Sequence, residues 1–213
     1  MCIRDRVSTH PDQFILLNAE RPEIVARSID ELDAQAVILD LMKLDYSAKI
    51  QLHVGGVYGD KPAGLKRFIT RVRDDVSPAV RARLVVENDE RLYSLEDVRV
   101  IHEETGLPIL LDFFHHSLYH HGESVREALT AAATSWKKQD GLPLTDFSTQ
   151  KPDARLGSHA ESLDHAAFRR LLTETAPIDF DVMLEIKDKE KSALAALSLA
   201  AGDPRLFDAR GAI

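Results

Sequence analysis

A parallel β/α barrel is the fold class this sequence predicts, and three observations predict it. Six short apolar runs alternate with amphipathic helical stretches at spacings of about 25 to 45 residues. The run Leu107 to Leu111 is apolar throughout, as a strand covered on both faces requires. Each run also ends on a residue type that binds metal ions: His10, His53, Glu87, Asp112, Asp146 and Glu185. Such alternation builds right-handed βαβ units on a parallel sheet. The expectation is therefore an α/β protein, a (β/α)8 TIM barrel missing about two β/α units at its N-terminal side. A Rossmann-type sheet would carry a glycine-rich phosphate turn after its first strand, and none is present.

With 213 residues and 44% hydrophobic content, one sizeable core is the default and two small domains are disfavoured. The charged, unpatterned start MCIRDR is expected to stand outside the fold, residues 7–200 to form the incomplete barrel, and 201–213 to be a tail. A single Cys2 excludes a disulfide framework and a cysteine-based zinc site. With no apolar run of bilayer length and no signal-peptide pattern, a cytoplasmic location with no membrane partner is expected. The net charge of −8 argues at first against a nucleic-acid partner. That argument weakens if several carboxylates hold divalent cations, each offsetting two charges where a phosphate would sit.

In order, Val7–Thr9 reads as the end of a strand, with His10 after it. Pro22 suits a first helical turn, and Val25, Ile29, Leu32, Ala36 and Leu39 predict a helix over roughly 22–43. A strand over Lys49–Val54 ends on His53, and Gly55-Gly56 lets the chain turn tightly. Leu65, Phe68, Ile69 and Val72 mark the next helix, whose Lys66, Arg67, Arg71 and Arg73 read as a solvated surface in preference to a DNA contact. Arg83–Val86 is a short strand before Glu87-Asn88-Asp89-Glu90. Ser94 and Asp97 fit a capping box for a helix over 94–105 that Gly106 stops. After the strand Leu107–Leu111 comes Asp112-Phe113-Phe114-His115-His116. A helix around Glu123–Ala133, a strand at Leu142–Phe147, a polar loop Ser148–Ser158 leading to His159, a helix through Phe168, Leu171 and Leu172, a strand at Ile178–Leu184 and a helix over 187–200 complete the pattern.

In a β/α barrel the C-terminal ends of different strands converge on one site. Here those positions gather His10, His53, Glu87, Asp112 with His115, Asp146, His159 and Glu185. Imidazoles and carboxylates without thiolates suit Zn²⁺, Mn²⁺ or Fe²⁺. There are more ligands than one ion needs, so two or three ions sharing bridging carboxylates are expected, an arrangement that serves phosphoester hydrolysis. His102, His120, His121 and His165 sit on helices or polar loops and are read as structural.

The segments HPDQF at 10–14, HVGGVYGDK at 53–61, VENDERLY at 86–93, LLDFFHH at 110–116, RLGSHA, and DVMLEIKDKE at 181–190 together resemble the UV-damage endonuclease family. The resemblance covers nearly everything from Val7 to about Leu197. It implies a metal-dependent TIM barrel related in fold to endonuclease IV and xylose isomerase, which nicks double-stranded DNA 5′ to ultraviolet photoproducts. It further implies divalent ions, typically Mn²⁺ with Zn²⁺, Mg²⁺ or Co²⁺ as options, held by His10, His53, Glu87, Asp112, His115, His159 and Glu185, with Asp146 as a further ligand. Glu87, Asp112, Glu185 and Lys187 would serve the chemistry. Gln13 and Phe14 would probe the lesion, and Tyr58 and Lys61 would stand at the DNA-facing rim; Lys61 and Lys187 are candidates for phosphate or carboxylate contacts. The enzyme is expected to act as a monomer.

This chain departs from the family pattern in three places. An N-terminal aromatic and an Asn used at the lesion have no counterpart, Phe14 stands where many members have Tyr, and Leu144 and Asp146 stand where many have Lys and His. A sugar isomerase-like barrel is the alternative enzyme and a non-catalytic fragment the second alternative. A nuclease needs Gln13-Phe14 exposed beside a wide groove, whereas an isomerase needs a closed pocket.

Overall fold

Six parallel strands, hydrogen-bonded in the order β1 to β6, curl into a half-barrel with helices on the outside in this computed structural model, which describes residues 6–207. The start at 1–5 and the tail end at 208–213 lie outside the described residues. The strands are β1 (Ser8–Thr9), β2 (Lys49–His53), β3 (Leu84–Glu87), β4 (Ile109–Asp112), β5 (Leu144–Phe147) and β6 (Asp181–Leu184). The helices are α1 (Pro22–Leu41), α2 (Lys61–Asp74), α3 (Pro78–Arg83), α4 (Leu95–Thr105), α5 (Phe113–Leu118), α6 (Val125–Ala133), α7 (His165–Thr175) and α8 (Glu190–Ala200). No helix among the described residues is long and apolar enough to cross a membrane.

Strands β4 and β5 begin two residues later than the apolar runs that announce them. Each run contains a proline, Pro108 or Pro143, that has no N–H to give the ladder; the strand starts just after it. Their carbonyls still serve, accepting from Val86 and Asp181. In α1, Ile29 packs half-buried against the core as expected, and the fully buried positions are Val25, Leu32, Ala36, Leu39 and, beside Ile29, Ser28. Its hydroxyl accepts from the Leu16 N–H and donates to the Ile24 carbonyl, both at 2.8 Å. The capping box at Ser94 and Asp97 and the left-handed Gly106 are both present. On α2, Arg71 pairs with Asp75 and Arg73 with Glu104, as a solvated helix surface does.

Two short helices fall where strand or loop was expected. Arg83 is the last residue of α3, and its buried guanidinium binds the Leu44, Asp45 and Ala48 carbonyls and Asp40, locking the turn into β2. The FFHH segment forms α5, because the Asp112 carboxylate accepts from the N–H groups of Phe114 and His115 and so caps a helix directly at the strand end.

Side chains alternate across each strand. In β2, Ile50 and Leu52 face outward into the main core with the helices, while Lys49, Gln51 and His53 face the barrel interior. One residue pair along, Val85, Leu110 and Leu144 from β3, β4 and β5 form a separate apolar cluster with Trp136. Two residues further on each of these strands come Glu87, Asp112 and Asp146. The interior is thus tiered: polar ligands uppermost, a thin apolar floor beneath, and an ion pair below it.

That lower pair is Lys49 with Asp140, 2.6 Å apart and both buried. Arg6, expected with the extraneous start, is bound into this region. It donates to the Ser47, Asp140 and Leu142 carbonyls, pairs with Asp181 at 2.9 Å and lies 4.9 Å over the Trp136 ring. In the tail, Arg205 reaches the Leu172 and Ile178 carbonyls. Removing one partner of a buried pair strands the other charge, so Asp140→Ala should cost about 3–5 kcal/mol of unfolding free energy. The double change Lys49→Met with Asp140→Leu should recover most of it in urea titrations, and equal loss in single and double variants would refute the pairing.

Candidate metal centre

The upper tier brings side chains from every strand to one place. Among the described residues three groups, each with one ligand atom per residue and all atoms within 4.8 Å, share members in succession: His10, His53 and Glu87; Glu87, Asp112 and His115; Asp112, Asp146 and Glu185. Glu87 belongs to the first two and Asp112 to the last two. His159 adds its ring beside Glu185, with Nδ1 at 3.4 Å from Oε2.

The distances are those of ligands around a cation. His10 Nε2 and His53 Nε2 lie 3.4 and 3.3 Å from Glu87 Oε2, and His115 Nδ1 lies 3.2 Å from Glu87 Oε1 and 3.3 Å from Asp112 Oδ2. Direct charge-assisted hydrogen bonds are shorter, about 2.7–2.9 Å. Two ligands sharing one ion with bonds of about 2.1 Å stand roughly 3.0–3.4 Å apart. The second nitrogen of two rings is already committed. His10 Nδ1–H donates to the Pro11 carbonyl at 2.9 Å and His159 Nδ1–H to the Glu185 carbonyl at 3.0 Å, which leaves each Nε2 as the free lone pair.

The donor set passes a test of fit. Glu87 Oε1, Asp112 Oδ2 and Asp146 Oδ1 are buried without a hydrogen-bond donor. Buried carboxylate oxygens are expensive to leave so, and a divalent cation is a partner that fits them. Asp112 shows how the chain arranges this: Oδ1 caps α5, and Oδ2 is left facing the cluster.

Protonation responds to the crowding. Burial alone would raise the Glu87 carboxyl, but His53, His10 and His115 around it hold it far below the usual range. Asp112 is pushed up to about 6 by burial, with His115 opposing and Glu87 reinforcing the shift. Asp146 is raised well above its ordinary value by burial and then by Glu87, Glu185 and Asp112. Burial works against charge on His10 and His115, yet contact with Glu87 outweighs it and they stand at about 9 and about 10.

Of the residues picked out in the sequence, His10, His53, Glu87, Asp112, His115, Asp146, Glu185 and His159 meet here. Leu144 packs in the apolar floor below Asp146. Gln13 and Phe14 lie exposed on the turn after β1, and Tyr58 stands at positive φ on the turn after β2, under the Arg67 guanidinium at 5.2 Å. That turn is fixed by Gly55, whose φ of +107° suits no other residue and whose Cβ would sit 2.4 Å from Asn18 Oδ1. Lys61 is committed to Asp97 at 2.6 Å and to the Tyr119 hydroxyl at 3.3 Å. Lys187 is exposed, its N–H bonded to the Ala160 carbonyl.

Two supporting residues escaped the sequence reading. Gln51, one tier down on β2, donates from Nε2 to Glu87 Oε2 at 2.8 Å and to Asp146 Oδ2, spanning the interior from β2 to β5. Asn88 exchanges hydrogen bonds with the backbone of Asp112, and its carbonyl lies 3.1 Å from His115 Nδ1. A signal was present for Gln51: it is the polar residue midway between Lys49 and His53 on the inward face of a strand whose other face is Ile50 and Leu52.

Comparison with known proteins agrees with this architecture. The family model "UV-endonuclease UvdE" matches residues 3–204. A UV DNA damage endonuclease of Clostridium perfringens (strain 13 / Type A) is 34% identical over 195 residues, covering 91% of this chain and 47% of the relative. The crystal structure of SacUVDE superposes with a TM-score of 0.88 at 40% identity, over 94% of this chain and 67% of that one. Endonuclease IV from Thermus thermophilus, at 19% identity and a TM-score of 0.58 over 91% of this chain and 74% of that one, shares the barrel-type fold. The chain spans about half the length of its curated Clostridium relative. Matched by the family model along nearly its whole length and by a relative of this identity, the chain belongs to the UV-endonuclease UvdE family.

Proposed function

We propose that this chain is a divalent-metal-dependent DNA repair endonuclease that acts as a monomer on duplex DNA carrying ultraviolet photoproducts. It hydrolyses the phosphodiester on the 5′ side of the lesion and leaves 3′-hydroxyl and 5′-phosphate ends. The observation that carries the reading is the tier of overlapping imidazole and carboxylate groups, with three orphaned carboxylate oxygens, at the C-terminal rim of a chain in this family. Two or three ions, manganese foremost and zinc, magnesium or cobalt as options, supply Lewis acidity and an activated water when bound.

The chain's own groups have separable tasks. Glu87 and Asp112 bridge neighbouring ligand groups, and Glu185 with His159 closes the β6 side. Gln51 keeps the Glu87 and Asp146 carboxylates at fixed spacing from below. Lys187, exposed two residues after Glu185, is available to meet a phosphate. Phe14, 71% exposed, and Tyr58, 40% exposed, present rings to stack on bases at the rim. Their exposure favours a wide polymeric substrate over the closed pocket that a sugar isomerase needs.

An incision assay on a duplex with one defined thymine dimer tests the reading. Nicking with manganese, none with chelator, and none from His53→Ala are the expected results; cleavage that survives chelation would sink the metal mechanism. Gln51→Leu should weaken manganese binding, measured by titration calorimetry, by about 10–100-fold with the fold intact.

The metal-free chain should show a pH signature of its own. A group whose pKa is raised by folding stabilises the chain below its unfolded value, and that contribution is lost as pH rises through the folded value. His10 and His115 stand at about 9 and about 10 against 6.5. In chelator the thermal midpoint should therefore fall as pH rises from about 6.5 to about 10. Saturating manganese should raise the midpoint and flatten the slope, since cations then replace the protons. A midpoint that climbs with pH in chelator would contradict the cluster as described.

A further inference from the structure

The loop from Ser148 to Ser158 is bonded to itself along its length. The Gln150 amide donates to the Lys151 and Arg155 carbonyls at 2.9 and 3.0 Å, and its carbonyl accepts from the Gly157 N–H at 2.9 Å. The Lys151 N–H donates to Ser158, the Ser158 N–H to Arg155, and the Ala160 N–H to Thr149. Gln150 and His159 form an antiparallel bridge. At Gly157, φ is +86° and a Cβ would lie 3.2 Å from Glu90 Cγ, so the loop leans on the segment that follows β3. Held up at its tip is Leu156, 68% exposed, beside Arg155, which is also exposed and has no ion pair among the described residues.

A leucine on a floppy loop would need no explanation. This loop has already given up its conformational freedom, which is how a binding element is preorganised. Phe14 is its counterpart. It is exposed on a turn where the Asp12 carboxylate accepts from the Phe14 N–H at 3.0 Å and the Asp12 carbonyl from the Ile15 N–H at 2.9 Å. The four imidazoles of the site form a row, His10 to His53 at 5.4 Å, His53 to His115 at 5.6 Å and His115 to His159 at 6.0 Å. Phe14 follows the first ring by four residues and Leu156 precedes the last by three. The two apolar tips thus ride on the segments that deliver opposite ends of the row.

We infer that Leu156 is a second wedge, entering a base step of duplex DNA from the His159 side of the site while Phe14 enters from the His10 side, with Arg155 on the adjoining phosphate. Apolar side chains inserted at a base step unstack and kink a duplex, bringing its backbone toward the protein. A lone unpaired cation beside the tip suits a phosphate in a chain whose net charge is −8. The inference rests on the endonuclease reading above.

The test uses this chain with manganese on one thymine dimer, placed in a duplex and in a single strand, with 2-aminopurine next to the dimer as a stacking reporter. Leu156→Ala should raise KM on the duplex roughly tenfold with little change in kcat, and should reduce the reporter's fluorescence rise. It should leave the single strand unaffected, and Leu156→Phe should restore the duplex KM. Arg155→Gln should lower the salt dependence of duplex binding by about one ion. Equal duplex KM and reporter signal in Leu156→Ala and the unmodified chain would overturn the inference while leaving the endonuclease reading intact. So would a KM rise shared by duplex and single strand, or accompanied by a lower thermal midpoint, since that marks a structural role. No incision or duplex binding by the unmodified chain would overturn both.

Discussion

Everything at the C-terminal rim of this barrel is arranged around one buried carboxylate, Glu87. Three imidazoles approach it from β1, β2 and the start of α5, and the Gln51 amide approaches from beneath. A charge taken so far out of water persists only where surrounding groups supply what water did. The surroundings here do so with partial and full positive charge, and one oxygen still has no donor. Asp112 and Asp146, without as many imidazoles, respond by holding protons more tightly. The site is a set of crowded carboxylates whose mutual repulsion is met by imidazoles at Glu87 and by tighter proton binding at Asp112 and Asp146.

The tiering of the interior makes this tolerable. Because side chains on a strand alternate, the same residues that put Ile50, Leu52 and Val86 into the outer core place His53, Gln51 and Glu87 inside. Val85, Leu110 and Leu144 then separate the ligand tier from the Lys49–Asp140 pair. Position along the strand, two residues at a time, decides whether a side chain is ligand, floor or base. Leu144 is a floor residue by this rule, which gives its place a physical meaning without any cation.

The barrel class and the gathering of these imidazoles and carboxylates at one place were legible because both depend on local sequence. An apolar run followed by His, Asp or Glu reads the same whether or not its neighbours in space are known, and convergence follows from the fold. The supporting amides were not legible in that way. Gln51 matters through contacts to Glu87 and Asp146, residues 36 and 95 positions away, and while its place between Lys49 and His53 marks it as inward-facing, it does not name those partners. The short helix α5 was hidden for a different reason. Phe113 and Phe114 continue an apolar strand pattern, and only the Asp112 cap converts them to helix. Arg83 looked like the start of β3 because it precedes a β-branched run, whereas its side chain is spent on the carbonyls that turn the chain into β2.

The apolar floor has one more consequence. Val85, Leu110, Leu144 and the Trp136 ring carry no oxygen or nitrogen apart from the indole N–H, which is engaged by the Ile109 carbonyl, so on the β3 to β5 side nothing in the floor can hydrogen-bond to the carboxylates above it. On the β2 side the same level is held by Gln51, in register with Val85, whose amide points up to Glu87 and Asp146. A molecule seated on the rim where Phe14, Tyr58 and Leu156 stand exposed would cover those carboxylates from above and screen them from bulk water.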